Sequence, residues 1–422
     1  MRENASWWFR MPAFMVLVSA ILSDTASDTE AGDWPQILGP HRNGTAVDEP
    51  ALLAWPASGP QTVWSAQLGL GYAGPAVVGD QVIVFHRVGD DERVESFNVS
   101  NGRSRWKTNF PATYRGGVNP DTGPRCVPVI HQGRIYLFGA AGQLHCVSLS
   151  DGKPVWSRDA YADLAGDEGY FGAGSTPIVA AGKLLVNVGG RNSGLVAFDL
   201  TTGATVWKAT SEKASYSSPT ATTIDGQSSV IFVTRMSTIA VDPRNGAVQF
   251  QFAFGQRGPT VNAATPLICD GHLFVSAAYG VGARYSRLGD GSTRPVWQND
   301  EVMSSQYSTC VFHQGHLYGT HGREDYGNGE LRCVAASTGK LQWKLPRSGV
   351  AHVILARDRL LILNHEGQLR LARAAADKYE ELSRANVSAG ITRALPALSN
   401  GRFYFRDNVD RGGQLHCLML AE

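Results

Sequence analysis

The sequence predicts an all-β fold: an eight-bladed β-propeller of four-stranded antiparallel blades. Three observations lead there. Short apolar strands recur and are closed by an aromatic residue, the closing aromatics recur every few tens of residues, and glycine is in excess. Glycine supplies 47 of the 422 residues, well above the ~7% of average proteins. Tight turns between short strands use glycine in this way, because it reaches positive φ without steric cost.

The clearest copies of the repeat end in Gly102-Arg103-Ser104-Arg105-Trp106, Gly152-Lys153-Pro154-Val155-Trp156, Gly203-Ala204-Thr205-Val206-Trp207 and Gly339-Lys340-Leu341-Gln342-Trp343. A fifth copy, Gly246-Ala247-Val248-Gln249-Phe250, carries Phe in place of Trp. In all five the aromatic lies four residues after the glycine. Trp297 closes a looser sixth unit, Tyr379 is expected to close a seventh, and Trp64 looks like a closing residue with no unit in front of it. The intervals between these aromatics run from 36 to 51 residues, the period of propeller blades. Within the second unit the predicted strands are Cys126–Ile130, Arg134–Phe138, Gln143–Leu149 and Pro154–Ser157, alternating in hydrophobicity between Gly-rich turns. Helical periodicity is confined to Ala372–Arg384, where a worn blade is the alternative.

The two ends of the chain complete the count. After Tyr379 three strands remain, Ala394–Ser399, Arg402–Asp407 and Gln414–Leu420, without a closing strand. Near the N-terminus Gln61–Gln67 is a closing strand without partners. Joined, they make one blade, so the N-terminal strand closes the last blade and no sheet edge is left open at the junction. Residues 61–420 are then a single propeller domain. Trp64, Trp106, Trp156, Trp207, Phe250, Trp297 and Trp343 are read as structural residues docking blade to blade, since a large flat ring buries ~150–250 Å². Their recurrence once per blade opposes the rival reading as cofactor platforms.

Residues 1–26 read as a signal peptide: Arg2 and Arg10, an apolar run Met11–Leu22, then a small and polar exit. A buried N-terminal helix is the alternative, and the cleavage point is open. The run is too short to span a bilayer, which needs ~20 residues. No cysteine precedes Cys126, so no lipid-anchored cysteine is expected. The mature chain is expected to be periplasmic or secreted, without a transmembrane segment, and monomeric. Thirty-eight Lys and Arg balance thirty-seven Asp and Glu, which gives no electrostatic footprint for nucleic acid. The six cysteines are expected mostly as small buried apolar residues.

Chemistry is sparse. No adjacent cysteine pair, C-x-x-C, P-loop, G-x-S-x-G or H-E-x-x-H is present, and the histidines show no zinc spacing. No catalytic residue and no metal ligand is therefore assigned. The string Glu324-Asp325-Tyr326-Gly327-Asn328-Gly329-Glu330 is the nearest approach to a calcium loop, with a solvated hairpin as the alternative. What remains is the channel mouth. Each innermost strand starts near a proline or its equivalent, and three residues upstream stand Tyr72, Arg125, Gly174, Tyr216, Ala263, Tyr307, Val350 and Arg393. Equivalent blades would place them in one ring. Tyr72, Arg125, Tyr216, Tyr307 and Arg393 are its candidate ligand-binding residues, because Tyr and Arg concentrate in recognition hot spots; rim packing is the alternative.

The string Asp-Leu-Thr-Thr-Gly-Ala-Thr-Val-Trp at 199–207 and its kin resemble the repeat of the pyrroloquinoline-quinone (PQQ) family of eight-bladed propellers. The segment Asp33-Trp34-Pro35-Gln36-Ile37-Leu38-Gly39-Pro40-His41-Arg42-Asn43-Gly44 resembles the opening of exported PQQ-like repeat proteins, and residues 27–60 are expected as a lead-in on the propeller rim. The family holds quinoprotein dehydrogenases, which bind PQQ and calcium, and non-enzymatic docking propellers of the outer-membrane β-barrel assembly machinery. The resemblance implies a non-catalytic binding or assembly scaffold with a protein partner in the cell envelope and no cofactor. The alternative is a PQQ- and calcium-dependent oxidoreductase of alcohols or sugars; a hydrolase or lyase is a weaker rival.

Overall fold

Eight sheets stand around a common axis. The structure is a computed structural model that describes residues 32–409 and 412–421 together with Met1. The expected signal segment otherwise lies outside the described residues. Blade 1 runs outward from the axis as Ala76–Val78, Gln81–Val88, Asp91–Asn98 and Ser104–Pro111. Blades 2 to 7 repeat the plan over residues 129–159, 178–209, 220–253, 267–299, 311–345 and 351–386. Blade 8 is stitched from both ends of the chain: Ala397–Ser399, Arg402–Val409 and Gly412–Met419, with Gln61–Leu68 as its outermost strand. Trp64 lies opposite Cys417 in that antiparallel pair, the register that the repeat arithmetic requires.

The strand order gives the propeller two unlike ends. Every inner strand starts at the end where the long blade-to-blade linkers and the second-to-third-strand turns lie, called here the linker end. The first-to-second and third-to-fourth turns gather at the other, the turn end. At the turn end each closing Trp docks on the next blade. The indole N–H groups of Trp64, Trp106, Trp156, Trp207, Trp297 and Trp343 donate to backbone carbonyls of the following blade at 2.7–3.1 Å. Under five of these rings lies the repeat glycine. A Cβ on Gly203, at φ +70°, would stand 2.7 Å from the Trp156 ring, so both backbone conformation and space demand glycine there. The core is correspondingly a chain of inter-blade clusters, for example Val186, Val196 and Phe198 of blade 3 against Tyr136 and Leu144 of blade 2.

Three sequence expectations need correction. Tyr379 does not close blade 7. It precedes the outer strand Glu381–Asn386 and packs on Trp343 of blade 6, with ring centroids 5.5 Å apart. The closing position, opposite Leu371, belongs to Ser383, which is tied to the backbone of the lead-in: the Trp55 backbone N–H donates to Ser383 Oγ at 2.9 Å, and Ser383 Oγ donates to Trp55 O. The 372–384 stretch is two strands rather than a helix. Among the described residues the one α-helix is the short Ala160–Leu164, where the Asp159 carboxylate accepts from Ala162 N–H at 3.0 Å.

The lead-in also departs from its expected place on the rim. Trp34 exchanges both backbone hydrogen bonds with Val77 of the blade 1 inner strand. Pro35 O accepts from Ile130 of blade 2, and Thr45–Ala46 pairs in parallel with the inner strand Ala351–Ala356 of blade 7. Residues 33–46 thus cross the turn end against inner strands, where unpaired backbone groups are available. Glu49 then accepts from Asn400 and Gly401 N–H, and the chain continues outward to Gln61. All six cysteines are buried, and burial lifts the thiols, Cys146 and Cys417 up to about 11.

Candidate functional site at the linker end

The linker end is built from loops whose bases are fixed. Hydroxyl side chains stitch adjacent inner strands: Ser175 Oγ donates to Ser217 O, Ser217 Oγ to Ala264 O, and Thr176 Oγ accepts from Val127 N–H, all within 2.7–3.0 Å. These residues recur just before the inner-strand prolines, in Ser175-Thr176-Pro177, Ser217-Ser218-Pro219 and Ala264-Thr265-Pro266. That short signal was available in the sequence and went unread. It means the ring three residues upstream stands on a rigid girdle.

Four of the five predicted ring residues form one continuous cluster. The Arg125 guanidinium lies over the Tyr72 and Tyr114 rings, at 5.8 and 5.6 Å from their centroids. It is held by the carbonyls of Gly123 and Asp121. Arg393 reaches the other side of Tyr72, at 6.0 Å, and forks onto Glu324. Tyr307 O–H donates to the same carboxylate at 2.8 Å. Burial pushes Glu324 up, but its bonds to Arg393 and Tyr307 outweigh that and hold it below the usual carboxylate range. Burial and the Glu324 charge push the Tyr307 hydroxyl well above the ordinary phenol value.

Tyr216 stands apart from this cluster. Its hydroxyl accepts from Tyr170 and Phe171 N–H at 3.0 and 2.8 Å, so it pins the linker between blades 2 and 3. Beside it is a cavity of about 20 Å³, room for a water molecule. Asn187 lines this cavity, 1% exposed, with neither amide atom hydrogen-bonded within the protein.

Of the acidic string, Glu324 serves the mouth, Asp325 pairs with Arg323 and accepts from Gln306, and Glu330 pairs with Arg332. Each carboxylate thus already faces a cation. From the turn end the lead-in sends Arg42 into the axis, 2% exposed. It donates to the carbonyls of Thr176, Pro177 and Pro219 and to Gln36 Oε1. Burial lowers it to about 9. The lead-in therefore covers the turn end of the axis, and the half-exposed ring residues stand at the linker end. Around that mouth the linkers and turns also expose Val118 (74%), Tyr326 (69%), Val409 (48%) and Ile391 (43%), each as a single side chain. Among the described residues no helix is long and apolar enough to cross a membrane.

Residues 90–345 match the family described as outer membrane protein assembly factor BamB. A curated protein of that description from Alkalilimnicola ehrlichii is 29% identical over 140 residues, spanning 33% of this chain and about a third, 32%, of that protein. Among solved structures, BamB from Moraxella catarrhalis superposes with a TM-score of 0.64 at 18% identity, over 85% of this chain and all of that one. A europium-containing methanol dehydrogenase gives 0.68 at 13% identity, over 92% and 91%. A quinohemoprotein alcohol dehydrogenase from Comamonas testosteroni gives 0.67 at 13%, over 94% and 82%. At such identities the structural likeness concerns the fold alone.

Proposed function

The chain belongs to the family of outer membrane protein assembly factor BamB, and from that premise we propose that it is a non-catalytic docking scaffold of the cell envelope whose contact surface is the linker-end mouth. The observation that carries this reading is the fixed cluster of Tyr72, Arg125, Tyr307 and Arg393 on a rigid girdle. Aromatic and arginine side chains held in place lose little entropy on binding and serve as anchors. Arg125 is satisfied by neutral carbonyls and keeps its charge for a partner. An acidic, partly apolar polypeptide surface fits it. Export of the chain, a protein partner and a monomeric scaffold belong to this same reading.

The residues at the mouth do not suit a quinone and calcium centre. The best placed carboxylate, Glu324, is neutralised by Arg393, and a divalent cation there would have to displace that guanidinium. Its neighbour Asp325 is likewise paired, with Arg323. Two measurements test the proposal together. Titration of the purified protein with PQQ and calcium, followed by quinone absorbance and dye-linked alcohol oxidation, is expected to show neither stoichiometric binding nor turnover. Co-purification from envelope extracts is expected to yield a partner that Tyr72→Ser with Arg125→Gln loses. One equivalent of bound quinone with turnover would overturn the scaffold reading, as would a partner retained by the double variant.

A further inference from the structure

Two blades carry the same serine–histidine pair, and one of them completes it with a carboxylate. The string Gly-Gln-Leu-His-Cys puts His145 and His416 in the third strands of blades 2 and 8. The serine after each closing indole, Ser157 or Ser65, lies directly opposite. His145 Nδ1 is 2.8 Å from Ser157 Oγ, and His416 Nδ1 is 3.0 Å from Ser65 Oγ. Beyond the imidazole the two copies part. In blade 2 the next position along the second strand is Gly139, and among the described residues no carboxylate pairs with His145. Burial lowers that imidazole to about 4, which makes it a poor base. In blade 8 the same position holds Asp407, whose Oδ2 is 3.0 Å from His416 Nε2.

Asp407 is buried and fixed: it accepts from Ser388 Oγ at 2.6 Å and from Gln414 N–H at 2.9 Å. Burial pushes its carboxyl up, but the bonds to His416 and Ser388 outweigh that and hold it below the usual carboxylate range. An ionised carboxylate only accepts, so His416 Nε2 carries the ring proton and donates it to Asp407. The Nδ1 lone pair is then left for the Ser65 hydroxyl. Phe405 stacks on the imidazole, with centroids 4.7 Å apart and planes 18° apart, and fixes the plane of the ring. Ser65 itself is exposed, on the outermost strand of blade 8, where a reagent can reach it.

We propose that Ser65 is a nucleophilic serine, activated by His416 and positioned through Asp407, that takes an acyl group from an activated ester or thioester. Ser65 Oγ bonds to the acyl carbon while its proton passes to His416 Nδ1. The bond from that carbon to the leaving oxygen or sulfur breaks, and the leaving group departs with the proton. The product is an acyl ester on Ser65. The site stands on the outer strand of blade 8 and not at the axial mouth, so it modifies the scaffold without taking the place of its docking surface. The Ser157–His145 pair, which lacks the carboxylate, is a control built into the same molecule.

The test treats the whole protein with p-nitrophenyl acetate, follows nitrophenolate release, and maps acetylated residues by mass spectrometry of peptides. Release faster than in Ser65→Ala is expected, with an acetyl group on Ser65 and none on Ser157. His416→Gln, which removes the base, should slow release by roughly a hundredfold. Asp407→Asn should slow it as well, and Asp407→Glu, which keeps the charge, should restore part of the rate. Melting temperatures of the variants show whether each one is folded, and the comparison of Ser65 with Ser157 in the wild-type chain needs no variant. Release no faster than in Ser65→Ala, equal acetylation of Ser65 and Ser157, or a rate unchanged in folded His416→Gln would each overturn the assignment.

Discussion

Arg42 and Arg125 approach the same axis from opposite ends of the propeller and are placed differently. Arg42 comes from the lead-in at the turn end and is buried in the channel against carbonyls that precede the inner strands of blades 3 and 4. Arg125 is also held by carbonyls, yet it lies half-exposed against two tyrosine rings at the mouth. The difference follows from strand order. The turn end collects short hairpins that must interlock with the next blade, so indoles, glycines and the lead-in fill it. The linker end collects long connections, which leave side chains over after the backbone is satisfied. The interlocking contacts are thus concentrated at one end, and the proposed function places recognition at the other.

The strongest way to break this contrast is to damage the turn end. Gly203→Val puts a β-branched residue at φ +70° and against the Trp156 ring. It is expected to cost about 3–5 kcal/mol from backbone strain and overpacking, read by denaturant unfolding. Arg42→Met removes the donor from three inner-strand carbonyls. We expect a smaller loss, about 1–3 kcal/mol for buried groups left unpaired, with partner binding unchanged in the folded fraction.

A pH experiment sharpens the comparison beneath the mouth. Glu92 is 2% exposed and accepts from Ala140 N–H of blade 2; burial pushes it up to about 7, opposed by that bond. The native carboxyl therefore holds a proton that the unfolded chain has released, so its contribution is complete below the ordinary carboxylate range and is lost as pH rises through about 7. Glu92→Gln, neutral at every pH, should stabilise the protein at pH 8 relative to pH 5 by about 2 kcal/mol against wild type. The smallest effect on stability belongs to the mouth itself. Arg125→Gln removes two ring contacts worth about 0.5–1 kcal/mol and should leave the melting temperature nearly unchanged while partner binding is lost.

The fold was legible because its signals are periodic. The Trp spacing, the orphan strand at Gln61 and the identical strings Gly-Gln-Leu-His-Cys at 142–146 and 413–417 are repeated or complementary, and pairing Trp64 with Cys417 needed no side-chain detail. Blade 7 departs from the pattern because Tyr379 occupies the receiving turn while Ser383 holds the closing position and is bonded by the backbone of Trp55, over three hundred residues earlier. The path of residues 33–46 was hidden for the same reason: backbone pairing between distant segments leaves no local pattern. At the mouth, four of five ring residues were brought together by blade equivalence. Glu324, which ties Arg393 to Tyr307, escaped because it belongs to an acidic string whose partner is 69 residues away. Asn187 escaped because a buried, unpaired amide is visible only in three dimensions.

The central claim, that the scaffold's partner docks at the linker-end mouth, is tested most directly by site-specific photo-crosslinking in envelope preparations. A photoreactive residue at Tyr72 is predicted to give a discrete heavier adduct that is lost on adding Arg125→Gln, while the same residue at Val47 of the lead-in gives none. An adduct at Val47 with none at Tyr72 would contradict it.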